Sequence, residues 1–185
     1  MLIAQLQGME VEKENIQEKI KIHWYAIYVR SRHESVAYGQ LQHKGVESYL
    51  PVIKRIRQWK DRKKFVEFPL FPGYLFVRVN PRPSEFVNVL RARGVVSLVC
   101  GALGAPLPVP DLEIDSLRIM VENGSGLDIY PSLQEGLRVH VVRGPLAGTV
   151  GVIVGKEDGY LLAVNINILG RSIAVKILAE DVEAA

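Results

Sequence analysis

The feature that most constrains this chain is a change of character near residue 124. The stretch Gly124-Ser-Gly-Leu-Asp-Ile-Tyr-Pro131-Ser has the composition of a linker. Before it, β-rich runs alternate with amphipathic helical segments. After it come only short β-rich runs: Leu137–Val142, Thr149–Val154, Tyr160–Ile168 and Ser172–Ile177, with turn signals at Gly144-Pro145, Asp158-Gly159 and Gly170-Arg171. Four or five short antiparallel strands in so little chain predict a small closed barrel, because closure removes exposed edges. A length of 185 residues allows two small domains. The fold class is therefore α+β: an antiparallel sheet flanked by helices, joined to a β-barrel. The boundaries read as a leader over 1–21, a first domain over 22–122, a linker over 123–134 and the barrel over 135–185. The leader fits either a disordered chain or a short amphipathic helix.

Within the first domain, Ile22–Val29 is β-branched and aromatic on both alternations, which predicts a strand buried on two faces. Ser31 and Glu34 have the spacing of a capping box. The helix they would open carries Val36, Ala37, Gln40 and Leu41 on one side and ends at Gly45. Strands are expected over Val46–Leu50, Val52–Trp59 and Lys64–Phe68. Leu70–Val79 is the most apolar and aromatic strand candidate, interrupted by Pro72-Gly73. Ser84 is expected to cap a short helix reaching Leu90, and Val95–Val99 to resume a strand. Asp111 should begin a helix that turns Leu112, Leu117, Met120 and Val121 inward and stops at Asn123-Gly124.

Charge follows the same division. The net is −1 over residues 1–21, +6 over 22–122 and −2 over 123–185. A basic domain joined to a slightly acidic one suggests that only the first meets a polyanion. Hydrophobic residues at 48% and charged ones at 23% indicate a globular chain. One cysteine excludes an intrachain disulfide framework and cannot by itself build a zinc site. The first residues lack the basic and apolar regions of a secretory signal. The stretch from Gly94 to Pro110 is too broken by proline and glycine to span a bilayer. The expectation is a cytoplasmic protein without membrane contact.

Catalytic motifs are absent from the sequence: there is no G-x-S-x-G, Walker A, H-E-x-x-H or C-x-x-C. His23, His33, His43 and His140 are too scattered for a helical ligand pair. Cys100 sits among apolar residues and reads as a buried structural thiol. Neither catalytic residues, nor a metal, nor a cofactor is expected.

The remaining features concern binding. Lys54 to Lys64 holds seven cations and one anion in eleven residues. This is either a solvated hairpin tip protecting strand edges or a phosphate-facing arm, with Trp59 free to stack on a base or to fold back. Arg30, Arg32 and His33 lie where the first strand meets the first helix, and Arg91 and Arg93 flank another turn; a guanidinium there can meet phosphate or a base edge. Solvated surface is the plainer reading of each. Phe68, Leu70, Phe71, Tyr74 and Phe76 concentrate apolar area near Pro72-Gly73, and alternation sends Tyr74 and Phe76 to one face. Core packing is the default for such a stripe. An exposed aromatic face at that kink would be a docking surface.

Together these residues carry a resemblance. The order Trp24-Tyr25, Phe71-Pro-Gly-Tyr-Leu-Phe-Val77, Arg93-Gly-Val95, linker, then Gly136-Leu-Arg-Val-His-Val-Val-Arg-Gly-Pro-Leu-Ala-Gly148 and Asn167-Ile-Leu-Gly-Arg171 resembles the NusG family over about residues 22–183. Members pair an N-terminal NGN domain with an SH3-like C-terminal KOW barrel. The context Pro69-Leu-Phe-Pro72 and the segment Arg57–Lys63 are similar to its specialised branches, of the RfaH or UpxY kind, more than to housekeeping NusG. The resemblance implies a transcription elongation and antitermination factor that is not an enzyme. Its NGN domain would bind the clamp helices of RNA polymerase, keep the clamp closed and suppress pausing and termination, at specific long operons if the specialised branch holds.

Carried over residue by residue, polymerase binding falls on Phe71, Tyr74, Phe76, Leu98 and Val109. Contact with the non-template DNA strand near the transcription bubble falls on Arg30, Arg93 and Gln40, to which position adds Arg32, His33 and Arg91. The KOW partner site falls on Leu146, Thr149, Ile168, Leu169 and Arg171. Ribosomal protein S10 suits that site better than Rho, because aliphatic and hydroxyl residues stand where phenylalanine is typical. The abundance of β-branched residues beyond Gly136 predicts a barrel at rest rather than a helical hairpin. The chain is expected to be a monomer. Housekeeping NusG, or a ribosome-associated KOW protein that binds nucleic acid generally, is the alternative.

Overall fold

The structure, a computed structural model, describes residues 22–58, 63–124, 126–131, 133, 136–156 and 159–185. The expectations for the leader, for Trp59 and for Asp158 therefore lie outside the described residues.

The first strand, β1 (His23–Val29), forms because its aromatic and β-branched residues can be buried on both faces. It lies between β5 (Tyr74–Val79) and β6 (Val95–Leu98), and β2 (Glu47–Tyr49) extends the sheet beyond β5. The short β7 (Pro108–Val109) also pairs with β1. All these pairings are antiparallel. One face of the sheet carries Tyr25, Ile27, Val29, Leu75 and Val77 under α1 (Glu34–His43) and α2 (Pro83–Leu90). The other carries Trp24, Ala26 and Phe76 against α3 (Asp111–Asn123). Between β2 and β5, the strands β3 (Val52–Gln58) and β4 (Lys63–Pro69) pair only with each other, as a separate two-stranded ribbon.

Several local expectations need correction. Residue 33, not Ser31, is the N-cap of α1, and it makes no side-chain cap. Glu34 is buried and accepts a hydrogen bond from the Gly73 N–H at 2.9 Å, so the tertiary partner wins over the capping box. Ser84 is likewise not a cap: Arg82 holds that position and Pro83 opens α2, where its missing N–H costs nothing. Leu70–Gly73 is a turn rather than the start of a strand. Gly73, at φ +83°, lies so near the Tyr28 ring that a Cβ would come within 3.2 Å of it. In α3, Ile114 joins Leu117 and Met120 in the core, whereas Leu112 is exposed. Cys100 is exposed, not buried, because its bridge partner Pro106 belongs to a surface loop.

The second unit is a meander of β9 (Leu137–Val141), β10 (Val150–Lys156), β11 (Gly159–Ile166) and β12 (Arg171–Ile177). The last strand, β13 (Val182–Ala184), returns to pair with β9 at the far side of the meander from β12. A strand also forms within the span that reads as linker: β8 (Asp128–Pro131) pairs with β12. Its pairing partner lies some forty residues away, so composition gave no sign of it. The barrel expected from β propensity is present, with a 3-10 turn at Asn167–Leu169 between β11 and β12.

Candidate functional site

Two surfaces gather the residues singled out in the sequence. The first is a basic turn. The Arg30 N–H donates to the Gly94 carbonyl at 2.8 Å, which ties the end of β1 to the loop after α2. Gly94 takes φ +95°, and a Cβ there would stand 3.0 Å from the His33 Cβ. Arg30, Arg32, Arg91 and Arg93 are all exposed, and His33 is half-buried. Arg32 is left-handed at φ 63°, the one non-glycine residue with positive φ among the described residues. Such a backbone costs roughly 1–2 kcal/mol. Gln40 is exposed on α1 but stands seven residues beyond His33, roughly 10 Å along the helix, and belongs less directly to this turn.

The second surface is a seam between the sheet and the barrel. A single apolar cluster runs from Trp24, Phe71, Phe76, Ile114 and Leu117 into Val139, Leu162, Ile166 and Ile173 of the barrel. Of the residues carried over for polymerase binding, Phe71, Phe76 and Val109 are fully interior, with exposures of 0%, 0% and 2%. This corrects the expectation of an open aromatic face. Phe76 stacks on Tyr49 and meets Phe71 edge-on, each at 6.3 Å between ring centroids. Leu98 does not join this group: it pairs with Ile27 and packs on the opposite face of the sheet. Tyr74 is half-buried, tilted against Tyr28, and the Arg171 guanidinium of the barrel lies 5.6 Å from its ring centroid.

Polar contacts across the seam come from one row of α3. Glu113, Ser116 and Ile119 recur every third residue and so share a face of the helix. Glu113 accepts hydrogen bonds from the Asn167 side-chain amide at 2.8 Å and from the Asn167 N–H at 3.3 Å. The Ser116 hydroxyl accepts from the Val150 N–H at 3.0 Å, and Gly148 approaches Ile119. Burial raises the Glu113 carboxyl above its ordinary value, and the two Asn167 hydrogen bonds partly oppose that rise. Sequence reasoning missed this row, although a carboxylate and a hydroxyl at i and i+3 beside the Ile114/Leu117 stripe were a visible second face.

Of the barrel residues singled out, Ile168 and Leu169 are half-buried and pack against the shared cluster. They lie between Asn167 and Arg171, which both reach across the seam. Leu146 is buried, and so is Thr149, whose hydroxyl has no hydrogen-bond partner.

Midway along α3, Arg118 lies 5.0 Å from the Trp24 ring centroid and 5.1 Å from that of Tyr49, and it pairs with Glu47 and Asp115. Burial pushes the Tyr49 phenol well up, Arg118 lowers it somewhat, and Glu122 adds to the rise. This group pins α3 to the sheet. Among the described residues no cluster of His, Cys, Asp or Glu could hold a metal, and no helix is long and apolar enough to cross a membrane.

Comparison with known proteins decides the family. The family model "Transcription termination factor nusG" matches residues 22–118, more than half of the chain. The chain belongs to the NusG family. It is a transcription termination/antitermination factor and not an enzyme. It is 26% identical over 170 residues to the transcription termination/antitermination protein NusG of Campylobacter jejuni, covering 86% of this chain and 96% of that one. It is 28% identical over 181 residues to NusG of Thermus thermophilus, covering 85% and 96%. Among solved structures, "Domain interaction in Thermotoga maritima NusG" matches at a TM-score of 0.46 and 24% identity, over 89% of this chain and 98% of that one.

Proposed function

We propose that this chain binds the clamp helices of RNA polymerase through the α3 side of its N-terminal sheet, holds the clamp closed and suppresses pausing. The observation that supports this reading is the seam. It joins a half-buried tyrosine, an apolar sheet face and a helix row to a second domain through few polar contacts. A face that one apolar partner covers in this way can be offered to another. Tyr74 is the anchor best placed for such an exchange, because Phe71, Phe76 and Val109 belong to the interior and support it from below. Leu98, on the opposite face, drops out of the polymerase set.

The barrel contributes the other half. Ile168, Leu169 and Arg171 are the residues proposed to receive ribosomal protein S10, and in this closed arrangement they lie at the seam. The two partner surfaces therefore cover each other, and binding of polymerase frees the barrel for its own partner. The basic turn of Arg30, Arg32, His33, Arg91 and Arg93 meets the non-template strand beside the docked domain.

A pull-down with purified core polymerase tests this. Tyr74→Ala should weaken capture at least tenfold while leaving thermal unfolding nearly unchanged. Weakening the seam with Glu113→Ala plus Asn167→Ala should strengthen capture. Equal capture by all three proteins would sink the reading. Transcript profiling after gene deletion separates the two branches: a specialised factor alters read-through at a few long operons, a housekeeping one at most transcripts.

A further inference from the structure

We propose that the barrel clasps the connecting chain with Asn165 and Ser172, and that this clasp sets how far the barrel can travel from α3. The inference deepens the reading above and rests on it in one respect, that the barrel leaves the seam. With the clasp shut, only residues 124–127 join the helix to the barrel.

The clasp is a polar pair in an apolar setting. β11 and β12 place Asn165 directly opposite Ser172. Alternation puts both on the face of Leu161, Ala163 and Ala174, away from the Leu162, Val164 and Ile173 that join the shared cluster. This face is buried too, with Ala163 and Ala174 exposed by only 0% and 1%. What packs against it is connecting chain, through Tyr130 and Leu133. The small alanines leave room for that chain, and the polar pair takes hold of a backbone position outside every strand. The Leu133 N–H donates to the Ser172 hydroxyl at 2.8 Å, and the Asn165 amide donates to the Leu133 carbonyl at 2.9 Å. The Ser172 hydroxyl in turn donates to the Asn165 side-chain oxygen. Upstream, β8 extends the hold by pairing with β12.

Chain length converts this hold into a reach. From Asn123 at the end of α3 to Asp128 at the start of β8, fully extended chain spans about 18 Å. With the clasp undone the join runs on to Leu137 of β9, and the span rises to about 50 Å. In the closed form the short join is folded rather than taut. Leu127 is buried in the shared cluster and lies back on the helix end, 3.0 Å from where a Gly124 Cβ would stand. The concentration of a tethered group at its site falls roughly as the −3/2 power of tether length, so release of the clasp dilutes the barrel at the seam about fivefold. A shut clasp thus favours return to the seam, and a distant partner can hold the barrel only once the clasp has opened.

The test uses the full chain without polymerase, so its failure and that of the polymerase reading are distinguishable. Spin labels go on Cys100, the chain's one cysteine and an exposed one, and on Glu183→Cys in β13. Pulsed dipolar spectroscopy then records their separation in the seam-weakened background Glu113→Ala plus Asn167→Ala. Adding Asn165→Ala and Ser172→Ala should extend the longest separations by about 30 Å. The ratio of closed to open protein should fall about fivefold. A second route leaves β11 and β12 untouched: Ile129→Gly plus Tyr130→Gly loosens β8 alone and should give about half that lengthening, with the melting temperature of the barrel held. In the parent the Leu133 amide should exchange slowly, and the Asn165→Ala, Ser172→Ala pair should speed it about tenfold. Equal separations with and without the clasp, or a parental Leu133 amide that exchanges as fast as in an unfolded peptide, would each overturn the proposal.

Discussion

On one face of the N-terminal sheet, Ile27, Val29, Leu75 and Val77 are sealed by α1 and α2, which come from the same run of chain. On the other, Trp24, Ala26 and Phe76 lie under α3, and the apolar cluster continues into the barrel. The first face is closed by covalent neighbours and stays closed whenever the domain is folded. Part of the second is closed by a separate unit, through hydrogen bonds that water can replace and a cation stacked on a ring. Burial alone does not distinguish a core from an interface. What distinguishes them is whether the covering element can leave without unfolding what it covers.

The largest effect should come from Phe76→Ala. Its ring is wholly buried, and truncating such a group costs about 3–5 kcal/mol, read as a lower urea midpoint. Leu41→Ala, on the permanently sealed face, should cost about 2–5 kcal/mol, with no change in how the barrel associates. If either variant instead separated the domains while leaving the fold intact, the contrast between the faces would be wrong.

Breaking the seam should do less to the fold and more to the arrangement. Hydrogen bonds to a charged group contribute about 1.5–3 kcal/mol. Asn167→Ala should therefore populate an open form, visible as increased radius in small-angle scattering and as faster amide exchange along the Glu113–Ile119 row.

A smaller effect sharpens the same contrast through pH. Burial raises the Glu113 carboxyl above 4.5 in the closed form. Closed protein therefore holds that proton more tightly than open protein. The contribution to closure is complete below pH 4.5, fades as pH rises through the raised value, and is flat above it. Glu113→Gln should abolish this dependence, which scattering across a pH series would record.

The smallest stability effect belongs to the basic turn. Arg32→Gly relieves a left-handed backbone worth roughly 1–2 kcal/mol, against the greater freedom that glycine gives the unfolded chain. Thermal melting should move by no more than a few degrees upward, while affinity for a single-stranded DNA oligonucleotide falls.

Much of the fold was legible because its signals are local. Aromatic and β-branched residues mark β1 and β5, Gly45 takes φ +71° just beyond α1, and valine-rich runs mark the barrel. The site was legible only in part. Alternation rightly put Tyr74 and Phe76 on one face, but it is blind to what covers that face; core packing, the default reading, holds for Phe76, and the open docking face that the resemblance implied is not there. The capping reading of Glu34 failed for a related reason. A carboxylate three residues after a serine has a good local partner, yet the Gly73 N–H, 39 residues away, needed an acceptor inside the core.

By itself, then, the amino-acid sequence determined the α+β fold class, the excess of basic residues over 22–122 and the family, because propensity, periodicity and charge act over a few residues. Tertiary structure decided which aromatic residues are interior and which half-buried, that a strand forms at Asp128–Pro131, and that Glu113 and Asn167 meet across 54 residues of chain. Those outcomes depend on which surfaces come together once the elements exist, and no local pattern encodes the partner.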